Sequence, residues 1–428
     1  MTSMSSSSNT LAIDFGTSNS LVGAIVDGQR KDALALDPFA ADPTLMRTLL
    51  YFPTADECFY GTQAIQKFVE NDMEGRLFRS FKSHLPNANY LGTMIERRVL
   101  RLEDLIGIFL LELKKRAEKA LGTKFDHAVI GRPARYSMDE VADGFALHRM
   151  NKAAEFAGFK KIKFVPEPLA AALDYRKQLK EEDKIVLIGD FGGGTSDFTV
   201  MHMSDRAFDK KDVIGVDGCP LAGDALDSLF MSERLNRSFG AQTKYRLPMS
   251  NNLLSMPPSL MDRLNKPAYI VHLKERENYH FLQEVRKCAL TDKDKAALDR
   301  LFVLIDDQQA FPFFEEIEHT KRRLSTAPTT KFQFDYPDLE TEDVFSSNEF
   351  EAWADTIKSN ISEAVARCLQ QAQIQDKDVD LVVLTGGTAQ VPFVRREFQM
   401  RFGAHKLKGQ SFFHSVLSGL IEAATLDF

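Results

Sequence analysis

Apolar positions along the 428-residue chain follow two periods, and they switch at glycine-rich turns. Ile185 to Ile188 is an unbroken apolar run between a charged loop and Gly189, which predicts a buried strand. Thr195 to Met201 returns as a second β-prone segment, and Gly192, Gly193 and Gly194 between them cannot sustain a helix. Helical spacing dominates elsewhere. Leu105, Ile108, Phe109, Leu113 and Ala117 predict a helix from Leu102 to Leu121, stopped by Gly122. Further helices are expected at Thr62 to Glu70, Met138 to Ala157, Leu169 to Leu179, Glu315 to Ala327 and Ser415 to Ala424. Short strands are expected at Leu49 to Phe52, Cys58 to Tyr60, from His127, from Phe332, and at Asp380 to Leu384. Ser346 and Glu349 have capping-box spacing ahead of one helix with Phe350, Trp353, Ile357, Ile361, Val365 and Cys368 on its core face. Pro392 suits the first turn of the next helix.

The central segment carries candidate chemistry. Asp190 and Asp197 flank the glycine turn, with Thr195 and Ser196 beside it. A turn without side chains lets backbone N–H groups approach an anion, and flanking carboxylates can face a hydrated cation. A plain glycine hairpin with surface aspartates fits the same residues. The pattern recurs: Ala12 to Ser20 (AIDFGTSNS) parallels Leu187 to Thr199 (LIGDFGGGTSDFT), about 175 residues on. Two lobes, each offering one hairpin, would clamp a polyphosphate between them. Asp-Phe-Gly also occurs in protein kinases, but a kinase glycine loop, an HRD loop and a Walker loop are all missing. Glu167, set between Pro166 and Pro168, reads either as a cleft carboxylate or as an acid at a helix N-terminus. Lys82 reads as one surface lysine among many.

Length predicts more than one domain. Net charge is −7, so no basic bias marks a nucleic-acid or membrane surface. Cys58, Cys219, Cys288 and Cys368 are far apart and read as free thiols of a reducing compartment. The N-terminus lacks a secretory pattern and residues 1–9 read as a disordered tail, so a cytoplasmic location is expected.

In order, these segments resemble the ATPase domain of the DnaK-type heat-shock 70 chaperones, within the actin-like, hexokinase-like superfamily. AIDFGTSNS and GDFGGGTSDF carry the two phosphate hairpins and LVVLTGGTAQVP the adenosine loop. PEPLAAALDY and EHTKRRLS match stretches more particular to these chaperones. The resemblance implies an α/β fold, a duplicated actin-like (RNase H-like) ATPase with inserted subdomains around a central nucleotide cleft. Lobe I is expected over 10–185, with an insertion at roughly 38–105. Lobe II is expected over 186–428, with one at roughly 228–316. It further implies ATP or ADP as ligand, with Mg²⁺ and K⁺ as ions. By position, Asp14 and Asp190 would hold the metal. Lys82, Glu167, Thr195 and Asp197 would form the catalytic set. Gly16, Thr17, Ser18, Asn19, Gly192, Gly193, Gly194 and Gly223 would meet the phosphates. Glu318, Lys321, Arg322 and Ser325, with Gly386, Gly387, Thr388 and Gln390, would meet the nucleoside.

Two departures touch the adenine pocket: Gln390 stands where the family has a stacking Arg, and Phe412-Phe413 where it has Pro-Asp. No peptide-holding module is expected, since one would need about 100 residues beyond Phe428, and in this the chain is similar to the YegD-like members built of the ATPase region alone. The expected activity is slow ATP hydrolysis in a monomer whose nucleotide state signals to an unidentified protein partner or co-chaperone. A switch with negligible turnover and a small-molecule kinase are the alternatives.

Overall fold

Two sheets, of six and five strands, share one five-strand topology, the sixth strand of the first being Met46–Arg47 paired to Asn19 and Ser20, in a computed structural model that describes residues 9–71, 74–176, 183–204, 210–266, 269–409 and 414–425. In the first sheet β1 (Thr10–Phe15) and β2 (Asn19–Val26) form an antiparallel hairpin extended by β3 (Gln29–Lys31). The chain then returns to the other side of β1 as β4 (His127–Arg132), parallel to it, followed by β5 (Lys161–Pro166). The second sheet repeats this with β6 (Lys184–Phe191), β7 (Ser196–Met203), β8 (Val213–Cys219), β9 (Leu381–Thr385) and β10 (Leu407–Gly409). The strand orders β5-β4-β1-β2-β3 and β8-β7-β6-β9-β10 thus reduce to one plan: hairpin, third strand, two parallel crossovers.

The crossovers of the first sheet run through α1 (Leu102–Leu121) and α2 (Glu140–Phe156). Their apolar faces, including Leu105, Phe109, Leu113, Met150 and Ala154, pack with Leu11, Ile13 and Phe15 of β1. The opposite face of that sheet joins a second core. There Ala12, Val129 and Val165 meet Val186, Ile188, Leu381 and Val383 of the second sheet, around α3 (Glu167–Arg176) and α4 (Ser415–Ala423). Burial of Val416, Leu417, Leu420 and Ile421 contributes roughly 1.5–3 kcal/mol each. The contact of α3 with α4 is backbone-close: a Cβ on Gly419 would lie 1.6 Å from the Ala170 carbonyl oxygen.

By packing, the chain falls into two compact units, Met1–Ala222 with Ser359–Phe428, and Gly223–Lys358. Both sheets belong to the first. The second has an aromatic core, in which Phe230 packs edge-on to Phe345 and Trp353 and lies against Phe350. Its hairpin pairs Thr329–Phe334 with Thr341–Ser346.

Several boundaries differ from expectation for local reasons. α2 starts at Glu140, where the Asp139 carboxylate accepts from the Ala142 N–H. α3 starts at Glu167, because Pro168 needs no N–H partner in a first turn. The helix expected from Glu315 starts at Ala310, since Pro312 is tolerated in its first turn. The capping box of Ser346 and Glu349 forms, but the helix it opens ends at Trp353, and a second runs from Asp355 to Gln371. Asn9 is not part of a loose tail: it donates to Thr123 Oγ1 and accepts from the Asp27 N–H. The tail up to residue 8, the end of the helix expected to reach Leu179, and Phe412-Phe413 lie outside the described residues.

Candidate functional site

Strand alternation decides where the two carboxylates point. Leu11, Ile13 and Phe15 face one core, while Ala12 faces the core shared by the sheets, and so the period carries Asp14 to that side. Val186 and Ile188 face the same shared core and carry Asp190 with them. Each hydrophobic stripe therefore ends in an aspartate, and the two carboxylates repel each other there. The hairpin turns that follow also converge: a Cβ on Gly194 would sit 3.3 Å from Thr17 Oγ1. The first turn is braced by Thr48, whose hydroxyl donates to the Gly16 carbonyl at 2.8 Å and whose N–H donates to Ser18. Any side chain at Gly16 would collide with the Asn19 carbonyl oxygen, 2.2 Å from the Cβ position. The second turn closes through the Gly192 N–H to the Thr195 carbonyl, 2.9 Å.

Lys82 is buried beside these turns, at 7% exposure. Its ammonium donates to the Phe15 carbonyl at 2.6 Å and pairs with Glu167 Oε1 at 2.9 Å. Burial alone would lower its pKa, but the charge of Glu167 raises it above the ordinary lysine value, so Lys82 stays cationic. It rides on a short turn, Phe81–His84, entered through Ser80 in the left-handed region at φ 52°. Arg149 of α2 holds the next stretch by donating to the carbonyls of His84, Leu85, Asn87 and Tyr90. Glu167, at the first turn of α3, is thus a partner for Lys82 rather than only an acid at a helix end.

Asp197 lies directly opposite Asp190 in the β6–β7 ladder, and Thr385 neighbours Asp190 on β9. The Thr385 hydroxyl donates to Asp190 Oδ1 at 2.8 Å. Asp197 Oδ1 accepts the N–H groups of Ala134 and Arg135, at 2.7 and 3.3 Å, which ties the loop after β4 to the second sheet. The Gly386-Gly387 turn presses on the same hairpin. Gly386 has φ +85°, its Cβ position lies 2.1 Å from the Phe191 carbonyl oxygen, and the Thr388 hydroxyl donates to the Gly192 carbonyl at 3.1 Å. Gln390 ends that turn exposed.

The second unit gathers Gly223, Glu318, Lys321, Arg322 and Ser325. Lys321 pairs with Asp227 at 2.7 Å and donates to the Gly223 carbonyl. Arg322 pairs with Glu318 at 2.5 Å, and the Ser325 hydroxyl donates to the Lys321 carbonyl.

A family model described as Hsp70 protein matches residues 58–255 and 298–411, well over half of the chain. The chain belongs to the Hsp70 family. Members of that family are chaperone ATPases that bind ATP or ADP with Mg²⁺, and the duplicated α/β sheets have the actin-like ATPase fold. The first hairpin precedes the matched spans in this Hsp70-family chain, and residues 256–297 fall between them, within the second unit. No helix among the described residues is long and apolar enough to cross a membrane.

The donor set fits Mg²⁺. Among the described residues no three His, Cys, Asp or Glu side chains form a cage. That ion is usually held by one or two carboxylates together with waters and substrate phosphates. Asp14 and Asp190 are such a pair. Burial first, and then the negative charge of Glu167, push both carboxyls above the usual aspartate range. A divalent cation would offset that repulsion and displace protons on binding.

Sequence reasoning missed Thr48, Thr385, Arg149 and the Phe15 carbonyl in this Hsp70-family site. Phe15 and Thr385 lie within the AIDFGTSNS and LVVLTGGTAQVP motifs, while Thr48 and Arg149 stand beside none.

Burial, and then the Glu167 charge, push the Asp197 carboxyl up to about 8. A carboxyl raised in the folded state binds more protons there than in the unfolded chain. Its contribution to stability is present at low pH and is lost as pH climbs through about 8. Asp197→Asn keeps an acceptor for Ala134 and removes the charge. The ligand-free variant is expected to match wild type in thermal midpoint near pH 5 and to exceed it at pH 8.5, as scanning calorimetry would show. A wild-type advantage at pH 8.5 would contradict this.

Proposed function

We propose that this chain is a slow ATP phosphohydrolase whose nucleotide state is read by a protein partner, in the manner of a YegD-like member of its family. The observation that carries the reading is the convergence of the two glycine turns, Gly194 against Thr17, beside the buried Lys82–Glu167 pair. The turn amides of Gly16, Thr17, Ser18 and Asn19, and of Gly192, Gly193 and Gly194, would donate to phosphate oxygens. Asp14 and Asp190 would hold Mg²⁺, which when bound supplies positive charge to the phosphates, and K⁺ is a second candidate ion. Lys82 would place its charge on the γ-phosphate. Glu167, Asp197 and Thr195 would orient the attacking water. No strong base is required, because phosphoryl transfer is governed by positioning and charge stabilisation. Gly386, Gly387, Thr388 and Gln390 would meet the nucleoside. For Gly223, Glu318, Lys321, Arg322 and Ser325 the proposal rests on the resemblance alone. We take the protein to act as a monomer.

The test is phosphate release from ATP by wild type, Lys82→Ala and Thr195→Ala, alone and with candidate acceptors. Mg²⁺-dependent release by wild type that either substitution lowers at least tenfold supports the reading. Binding of ATP without release favours a switch, and acceptor-dependent ADP formation a kinase.

A further inference from the structure

One buried polar group that feels the charges of both Lys82 and Glu167 has no task in that reading. The Tyr136 side chain is 7% exposed, and its hydroxyl is buried with no hydrogen-bond partner among the described residues. The backbone around it is pinned. The Tyr136 N–H donates to Asp143 Oδ1 at 2.6 Å, and the two preceding N–H groups donate to Asp197. The backbone that carries the ring is therefore held by the carboxylates of Asp143 and Asp197. The charges of both Lys82 and Glu167 act on the hydroxyl. Burial, with the Glu167 charge adding to it against the opposing pull of Lys82, pushes its pKa up to about 12, so it keeps its proton and can donate. As the structure stands, Lys82 occupies Glu167 Oε1 at 2.9 Å.

An unmade buried hydrogen bond is a standing cost that a rearrangement can recover. The rearrangement follows from the ATP reading, on which this inference rests. If Lys82 turns its ammonium from Glu167 to the γ-phosphate, it leaves a buried carboxylate behind, and an uncompensated buried carboxylate is unfavourable. We propose that Tyr136 is a positioning residue whose hydroxyl takes over the Glu167 carboxylate when Lys82 turns to the γ-phosphate of ATP. The hydroxyl keeps its own proton throughout and simply gains an acceptor. ADP has no γ-phosphate to draw Lys82 away, so the exchange distinguishes ATP from ADP.

The test is Tyr136→Phe, with dissociation constants for ADP and for a non-hydrolysable ATP analogue in the presence of Mg²⁺, single-turnover ATP hydrolysis, and the thermal midpoint. The expected result is an unchanged ADP affinity with analogue affinity and turnover each down about tenfold, since a hydrogen bond to a charged group is lost in the ATP state only. The ligand-free thermal midpoint should stay level or rise, because the hydroxyl removed has no protein partner. In a Lys82→Met background the same substitution should leave the ADP-to-analogue affinity ratio unchanged. A wild-type ratio in the single variant, an equal loss for both nucleotides, or a ratio change that persists without Lys82 would overturn the inference while leaving the ATPase reading intact. Wild-type protein that binds neither nucleotide would overturn both.

Discussion

Lys82→Ala is expected to lower ATP turnover by about 10²–10³-fold, the size of effect seen when one transition-state contact is removed. The ammonium is cationic, buried, and held at the strand end by the Phe15 carbonyl and Glu167. Turned from Glu167 to a γ-phosphate, that charge would act in a water-poor setting far more strongly than a surface lysine's could. The substitution also leaves Glu167 buried without its partner, which costs about 3–5 kcal/mol of stability. The two effects can be separated. In Lys82→Met/Glu167→Gln both charges are gone, so the stability loss should largely disappear in urea denaturation while turnover stays low. Turnover that recovers along with stability would show that Lys82 serves the fold and not the reaction.

Gly419→Ala is expected to have the largest effect on stability, about 3 kcal/mol or more, although it adds only one methyl group. Its Cβ would stand 1.6 Å from the Ala170 carbonyl oxygen, inside the contact of α3 with α4. No rotamer relieves a clash with backbone, so the helices must part, and overpacking of this kind is costly. Because α3 carries Glu167 at its first turn, the shift should also reach the site and reduce turnover. Gly144→Ala, at an exposed position of α2 with nothing within 4 Å of its Cβ position, is the contrast: it should raise stability by about 1 kcal/mol. Equal effects of the two substitutions in chemical denaturation would contradict the close packing of α3 on α4.

The parts of the site that were readable in the sequence are those with strong local chemistry. The two Asp-Phe-Gly hairpins and the Gly386-Gly387 turn announce themselves, because glycine runs beside apolar strands permit few conformations. Helix α1 was readable to the residue, since its apolar spacing is regular and Gly122, at φ +65°, ends it. The Ser346–Glu349 capping box was readable too, but the break at Ala354 was not. The apolar face ran on through it, and periodicity does not register a one-residue interruption. Lys82 showed no pattern of its own. Its place depends on a left-handed Ser80 and on four carbonyls held by an arginine 67 positions away, and neither leaves a mark nearby.

Family resemblance, the repeated strand–turn–strand hairpin and its glycine turns were legible in the sequence alone, because each motif is carried by residues close together in the chain. Tertiary structure alone decided which carboxylate Lys82 holds, that Asp197 ties the loop after β4 to the second sheet, and that Lys321 engages Asp227. These pairs join residues that lie far apart in the chain. Charge and hydrogen bonding act through space with no period for a linear pattern to carry, so only the packed sheets could bring the partners together.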